Sequence, residues 1–285
     1  MSKVVQSLVA HAGKYIMMPP HKEAEVGWGN LAEPQVQVVG GHTVAEYPVN
    51  TKFVDFDRTF IYGYTHSRFT TDVKSNLGLF NLNTAAFVTW GGVAGAAGDT
   101  VCPILTSTMD DYTTATVNLF AGGYLLPRQQ NPYGCYRIVS STVFAGGADS
   151  ALETDMVIEE PGLQAIVTAS SAYCQLHPNI YSKMYGWWSQ AGGTHMSVVG
   201  VTLIDPTAET YQWVQTWGPI CMLGDEAAGK TTTMRAGYFN WDGTIITAAD
   251  NDGNTQYQYA GYFVPYSLVA AAGVYASLIF IQLER

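Results

Sequence analysis

The chain has 285 residues, of which 47% are hydrophobic and only 13% charged, and its formal net charge is −10. This composition provides for a real core, and it excludes a nucleic-acid partner, because phosphate contacts need clustered Lys and Arg and no basic run occurs. Charge at about half the ~25% of an ordinary soluble domain, together with 18 Tyr and 7 Trp, points to surface held against partners, where interface cores are poor in charge and rich in aromatics.

In chain order, the first segment is weakly helical in pattern. Val4, Val5, Leu8 and Val9 fall at helical spacing within residues 1–16, and Pro19-Pro20 ends any helix there. Residues 17–50 then carry Pro19, Pro20, Pro34 and Pro48 with several glycines. Such composition predicts an extended N-terminal arm over 1–46, suited to reaching a neighbouring subunit. No secretion signature precedes it, so synthesis in the cytoplasm is expected.

From about residue 35 the pattern turns to short β-type runs. Val36–Val39 is the first. Lys52–Phe56 and Thr59–Tyr64 then flank Asp57-Arg58 and predict a hairpin. Ala85–Trp90, Thr113–Phe120, Tyr124–Pro127, Cys135–Val139, Thr154–Ile158, Gln164–Thr168, Ser197–Leu203 and Tyr211–Trp217 continue the series. Gly218-Pro219 predicts a break before Ile220–Leu223. Thr233–Phe239, Thr244–Thr247, Tyr257–Val264 and Tyr275–Leu283 complete it, with Asp242-Gly243 and Asp252-Gly253 as turn signals.

Strands of this length between turns rich in Gly, Asn, Asp and Pro predict an all-β fold of antiparallel barrels or sandwiches. A turn-rich stretch at 185–195 suggests β-rich domains over 47–190 and 191–285. The apolar run Ser267–Leu283 is too short and too interrupted to span a bilayer, so no membrane partner is expected.

Gly224–Thr231 spells a P-loop, G-x-x-x-x-G-K-[ST]. A P-loop needs a following helix whose amides meet the phosphates. Here Thr231-Thr232-Thr233 and Gly237 oppose a helix, and Asp225 and Glu226 would repel phosphate. No nucleotide and no other cofactor is therefore expected. The six histidines share no metal-ligand spacing, and Cys102, Cys135, Cys174 and Cys221 contain no C-x-x-C pair. They read as four buried thiols. Asp250–Asn254 begins like a calcium loop but lacks the distal Glu, so a plain turn is expected and no metal. Asp110-Asp111 and Glu159-Glu160 are sequence neighbours that would point to opposite strand faces. No G-x-S-x-G elbow occurs, and no catalytic residue is assigned.

Aromatics are the remaining signal. Tyr185, Trp187 and Trp188 cluster in a turn-like context, and Trp213 and Trp217 lie in a Trp-rich strand. For the Tyr185–Trp188 cluster core packing is one reading and interface anchoring or a carbohydrate platform the others, while Trp213 and Trp217 are read as interface candidates.

Four segments together resemble the head decoration, or cement, proteins of tailed phages. They are Tyr47–Lys52 with Asp57–Gly63; Gly122-Gly123-Tyr124 with Gly134–Ile138; Tyr211–Pro219; and Gly261-Tyr262 with Ile279–Leu283. Asn50 stands where that group usually has Gly. The resemblance implies a virion protein without enzymatic activity on the outer surface of the head, β-rich and trimeric. Its implied partners are the major capsid protein and other copies of the chain. The competing expectation is a receptor-binding or tail-fibre-associated protein with a glycan site on Tyr185, Trp187 and Trp188. A hydrolase would need convergent His and carboxylates that the sequence does not display, and a major capsid protein would need a long spine helix.

Overall fold

A computed structural model describes residues 4–5, 8–11, 13–19, 21–22, 41–67, 78–81, 86–91, 94–105, 120–127, 134–142, 153–167, 173–186, 197–204, 209–224, 235–240, 242–247, 258–264 and 275–284. Every regular element among them is a strand, so the protein is all-β. In chain order these are β1 (Val4–Val5), β2 (Leu8–His11), β3 (Lys14–Met17), β4 (His21–Lys22), β5 (Lys52–Asp55), β6 (Arg58–Ser67), β7 (Gly78–Asn81), β8 (Ala86–Trp90), β9 (Val101–Leu105) and β10 (Tyr124–Pro127). There follow β11 (Tyr136–Ser141), β12 (Glu153–Ile158), β13 (Tyr173–His177), β14 (Met184–Gly186), β15 (Ser197–Thr202), β16 (Thr210–Gly224), β17 (Ala236–Phe239), β18 (Ile245–Thr247), β19 (Gln258–Phe263) and β20 (Tyr275–Gln282).

The chain forms two compact units. One contains Asn83–Ser182 together with Met1–Ser7 and Pro19–Gly27; the other contains Leu8–Met18, Trp28–Leu82 and Lys183–Arg285. This division differs from the boundary suggested by the turn-rich stretch at 185–195. β6 and β7 pair with β14, β15 and β16, so 47–82 belongs with the C-terminal third. Turn composition marks where the chain reverses, whereas domain membership is set by non-local pairing.

The first unit is a closed barrel of consecutive strands in the order β10-β11-β12-β9-β8-β13. Alternation explains its interior. Along β9, Cys102 and Ile104 are buried while Val101 faces out, the two-residue period of a pleated strand. Trp90, Leu125, Ile138, Met156, Cys174 and Leu176 are among the side chains that join them in one core. The expected hairpin of Tyr124–Pro127 with Cys135–Val139 is present, with Leu125 opposite Tyr136. Of the strand expected over Gln164–Thr168, the described residues 164–167 are instead a loop with one bridge between Gly95 and Val167. The Tyr136 hydroxyl accepts from Gln164 N–H at 2.9 Å and takes up a backbone donor that a ladder would otherwise satisfy.

In the second unit the strands run β18-β17-β19-β20-β16-β15-β7-β14-β6-β5-β3-β2, with further pairings of β16 to β18 and to β6. These extra pairings close two five-membered circuits, β16-β20-β19-β17-β18 and β16-β15-β7-β14-β6. The 15-residue strand β16 belongs to both. The break expected at Gly218-Pro219 is absent. Gly218 takes φ 99 within a continuous strand, beside a register shift between Gln215 and Trp217. Left-handed backbone of this kind is open to glycine at little cost, and a Cβ there would collide with the Asp57 carbonyl.

Ile220, Met222, Phe239, Ile245, Ile279 and Ile281 pack inside the first circuit. A second cluster, Ile16, Phe53, Phe60, Tyr62 and Trp213, packs on the β3-β5-β6-β16 region. Within residues 1–16, whose pattern predicts a weak helix, Leu8–His11 and the start of Lys14–Met17 are instead paired strands continuing this sheet, with Leu8 opposite Met17 and Ile16 opposite Phe53. Pairing to β5 overrides a weak local preference there. Of the arm expected over 1–46, residues 23–40 lie outside the described residues, as do the expected strands Val36–Val39 and most of Thr113–Phe120.

A charge-free aromatic sheet face as candidate functional site

Strands β15 to β20 contain no Asp, Glu, Lys, Arg or His. Their inward side chains form the core just described, and the register fixes what faces outward. Cys221 lies opposite Leu278, Pro219 opposite Phe280, and Trp217 opposite Gln282. Tyr262 lies opposite Phe280, and Tyr238 opposite Tyr259. Directly opposed residues share a face, so these side chains form one surface across β17, β19, β20 and β16.

Ring geometry makes that surface continuous. Trp217 meets Phe280 edge to face at 5.6 Å, and Phe280 stacks on Tyr262 at 5.2 Å with an interplanar angle of 7°. Tyr238 meets Tyr259 edge to face at 5.9 Å. The Tyr259 hydroxyl donates to Gln282 Oε1 at 3.2 Å. A register shift near Gly261 places Ala260 and Gly261 both inward, which leaves Tyr259 and Tyr262 both outward at 44% and 42% exposure. Leu278 is 37% exposed.

The same face continues along the sheet. From Trp217 the opposed residues run to Thr59, which is buried, and then to Val54, Tyr15 and Ala10 across β6, β5, β3 and β2. None carries a charge at neutral pH. Seven strand spacings of ~4.8 Å make the row roughly 30 Å long, the breadth of an ordinary interface of ~800 Å2 per partner. Uncharged outward aromatics are the composition of an interface core.

Of the aromatics singled out by sequence, the structure separates two neighbours on one strand. Trp213 is 1% exposed and packs against Tyr47, Phe53 and Tyr62; it is core, and its reading as an interface residue is corrected. The cause is position: Trp213 precedes the irregularity on β16 and faces the β5-β6 cluster, while Trp217 follows it and faces out. Tyr185 is partly buried, burial pushes its hydroxyl pKa up, and Lys183 Nζ sits 5.9 Å from its ring centroid. Trp187 and Trp188 lie outside the described residues. Tyr259, Tyr262, Leu278 and Phe280 were missed by sequence reasoning, although period-two alternation in Tyr275–Leu283 held the signal for the last two.

Other motifs resolve unevenly. The P-loop-like segment after Gly224, with Lys230, lies outside the described residues, as do Asp110-Asp111 and Asp250–Asn254. Glu159 sits beside Arg137, with Oε1 3.6 Å from Nε. No cluster of three or more His, Cys, Asp or Glu that could hold a metal occurs among the described residues. The cysteines are not uniformly buried as expected. Cys102 and Cys174 lie in the barrel core, but Cys135 and Cys221 are exposed, because Cys221 occupies an outward position between Ile220 and Met222. Burial pushes the Cys102 and Cys174 thiols up to about 12.

No protein-family model matches this chain, and neither the curated proteins nor the solved structures contain a match to it.

Proposed function

We propose that the chain is a structural virion protein of a tailed phage, a decoration protein that docks on the outer surface of the head and stabilises it. The observation that carries this reading is the absence of Asp, Glu, Lys, Arg and His from β15–β20 combined with outward Trp217, Tyr259, Tyr262 and Phe280. Such a face gains free energy by leaving water against another apolar surface, at roughly 25 cal/mol per Å2 of apolar area. It offers no charge to select a polar small molecule. The four sequence segments that resemble head decoration proteins add the location, and the net charge of −10 fits a site away from packaged nucleic acid. The role assigned is burial of area between subunits, with the major capsid protein as partner and with no reaction to perform.

Cryo-electron microscopy of whole particles tests the location. Density for this chain on the outer shell, with the β17-β19-β20-β16 face turned toward its neighbours, is expected. Density confined to tail or fibre would replace the reading with the receptor-binding alternative.

A further inference from the structure

We propose that the outer face of the barrel in the first unit is a saccharide-binding platform, on which Tyr173 and Tyr124 stack the rings of an uncharged oligosaccharide. This role goes beyond head docking, which rests on the other unit, and it uses none of the Tyr185–Trp188 cluster.

Strand alternation builds the face. Cys174 and Leu176 of β13 point into the barrel core, which turns Tyr173, Gln175 and His177 outward. On β10, Leu125 belongs to the same core and Tyr124 faces out. Tyr124 lies directly opposite His177 of β13 on one side and Arg137 of β11 on the other, so these side chains share one surface. Glu159 closes the row, with Oε1 3.6 Å from Arg137 Nε. Between Tyr124 and Tyr173 lie one strand spacing of ~4.8 Å and four residues of ~3.4 Å, which sets them roughly 14 Å apart. A short oligosaccharide covers that span and a single sugar does not.

The side chains on this face are unengaged. Tyr124 and Tyr173 are 45% and 61% exposed. Among the described residues neither hydroxyl has a hydrogen-bond partner and neither ring meets another, and the Gln175 amide and His177 imidazole are equally free. Elsewhere tyrosine hydroxyls are occupied. Tyr62 accepts from Glu46 N–H, Tyr136 accepts from Gln164 N–H, and Tyr259 donates to Gln282.

The chemistry of the face selects the ligand. The barrel is closed, so no strand edge is open for an extended peptide to pair with. An apolar protein surface laid over the face would leave an amide, an imidazole and two hydroxyls without partners, which opposes docking. The Arg137 charge is matched by Glu159, so no surplus cation is left to hold a phosphate or another strong anion. A sugar meets all three conditions. Its C–H face covers a tyrosine ring, and its hydroxyls both donate and accept, as the amide, guanidinium and carboxylate around the rings require.

Isothermal titration calorimetry of the full chain tests this with maltotetraose, cellotetraose, mannotetraose and chitotetraose, and with the monosaccharide of each. At least one tetrasaccharide is expected to bind with a Kd of about 1 mM or tighter. Its monosaccharide should bind about tenfold more weakly, because one ring cannot reach both tyrosines. Tyr173→Ala and Tyr124→Ala should each weaken the tetrasaccharide about tenfold, and Gln175→Ala should weaken it by a smaller factor. All three substitutions fall at outward positions and should leave the melting temperature of the chain unchanged. Failure of every tetrasaccharide to bind overturns the inference. So does binding that survives both tyrosine substitutions unchanged, or a monosaccharide that binds as tightly as its tetramer.

Discussion

Gln212 Nε2 donates to Thr65 Oγ1 at 2.6 Å, although the two residues stand 147 positions apart. Both are fully buried. Thr202 extends the chain of contacts, with its hydroxyl 3.4 Å from Gln212 Oε1 and a hydrogen bond donated to the Ile204 carbonyl at 2.7 Å. This small polar network joins β6, β16 and the end of β15 inside the second strand circuit. A buried polar group without a partner costs far more than a satisfied one gains.

Gln212→Ala is therefore expected to destabilise the protein by about 1–3 kcal/mol, because Thr65 loses the amide that donates to it in a dry site. Urea denaturation of the single variant measures it. A midpoint equal to wild type would show that the network is dispensable.

Asn81 of β7 lies directly opposite Met184 of β14, with the whole barrel segment Asn83–Ser182 between them in sequence. Only two positions, 82 and 183, separate the paired residues from that segment. A two-residue turn joins antiparallel strands when its backbone twist matches. Replacing 82–183 by Asn-Gly should leave the remaining sheet folded, with the buried emission of Trp213 retained. Loss of cooperative unfolding in the shortened chain would mean that the sheet depends on the segment.

Thiol accessibility divides the cysteines in half. Cys135 and Cys221 are exposed and should react with a thiol reagent in the native protein, while Cys102 and Cys174 are buried and should react only on unfolding. Four rapidly reacting thiols in the absence of denaturant would contradict the barrel core.

The same burial sets a pH dependence. Burial holds the Cys102 and Cys174 thiols at about 12, above the ordinary 9.0, and Tyr62 at about 12, above 10.0. The folded state therefore keeps these protons more tightly than the unfolded state does. Their contribution is fully present below pH 9 and is lost as pH rises from 9 towards 12, by about 1.4 kcal/mol per pH unit for each thiol. Denaturation midpoints at about pH 8 and at about pH 10, on either side of the ordinary thiol pKa, check this direction. Stability that rises over that interval would refute it.

Trp213 and Trp217 should respond differently to truncation. Trp213→Ala removes a side chain packed among Tyr47, Phe53 and Tyr62, and should cost about 3–5 kcal/mol. Trp217→Ala removes a partly exposed ring from the aromatic face and should cost clearly less, while weakening attachment to heads. Equal losses of stability would remove the distinction between core and face on which the docking proposal rests.

Much of the strand content was readable along the chain. Lys52–Phe56 and Thr59–Tyr64 announce a hairpin through β-branched and aromatic runs around a polar turn, and β5 and β6 form it. Tyr257–Val264 and Tyr275–Leu283 likewise become β19 and β20. Local signals misled where pairing outweighed them. Gly218-Pro219 reads as a break, yet the strand continues because β20 pairs with Trp217 to Gly224 without interruption while β6 still holds Trp217 from the other side. Residues 1–16 read as weakly helical, yet β5 offers an edge that pairs with β3, and β3 in turn pairs with β2.

Sequence alone determined the chemistry available to this protein: strands rather than helices, scarce charge, and abundant Tyr and Trp. Propensity, composition and turn residues are local quantities, and they survive without knowledge of neighbours. Which aromatic faces water was decided only by the tertiary structure. Trp213 and Trp217 are four residues apart on one strand, and a single register shift at β16 sends one into the core and the other onto the surface. A one-residue slip reverses a strand's faces, and no local pattern records where such a slip will fall.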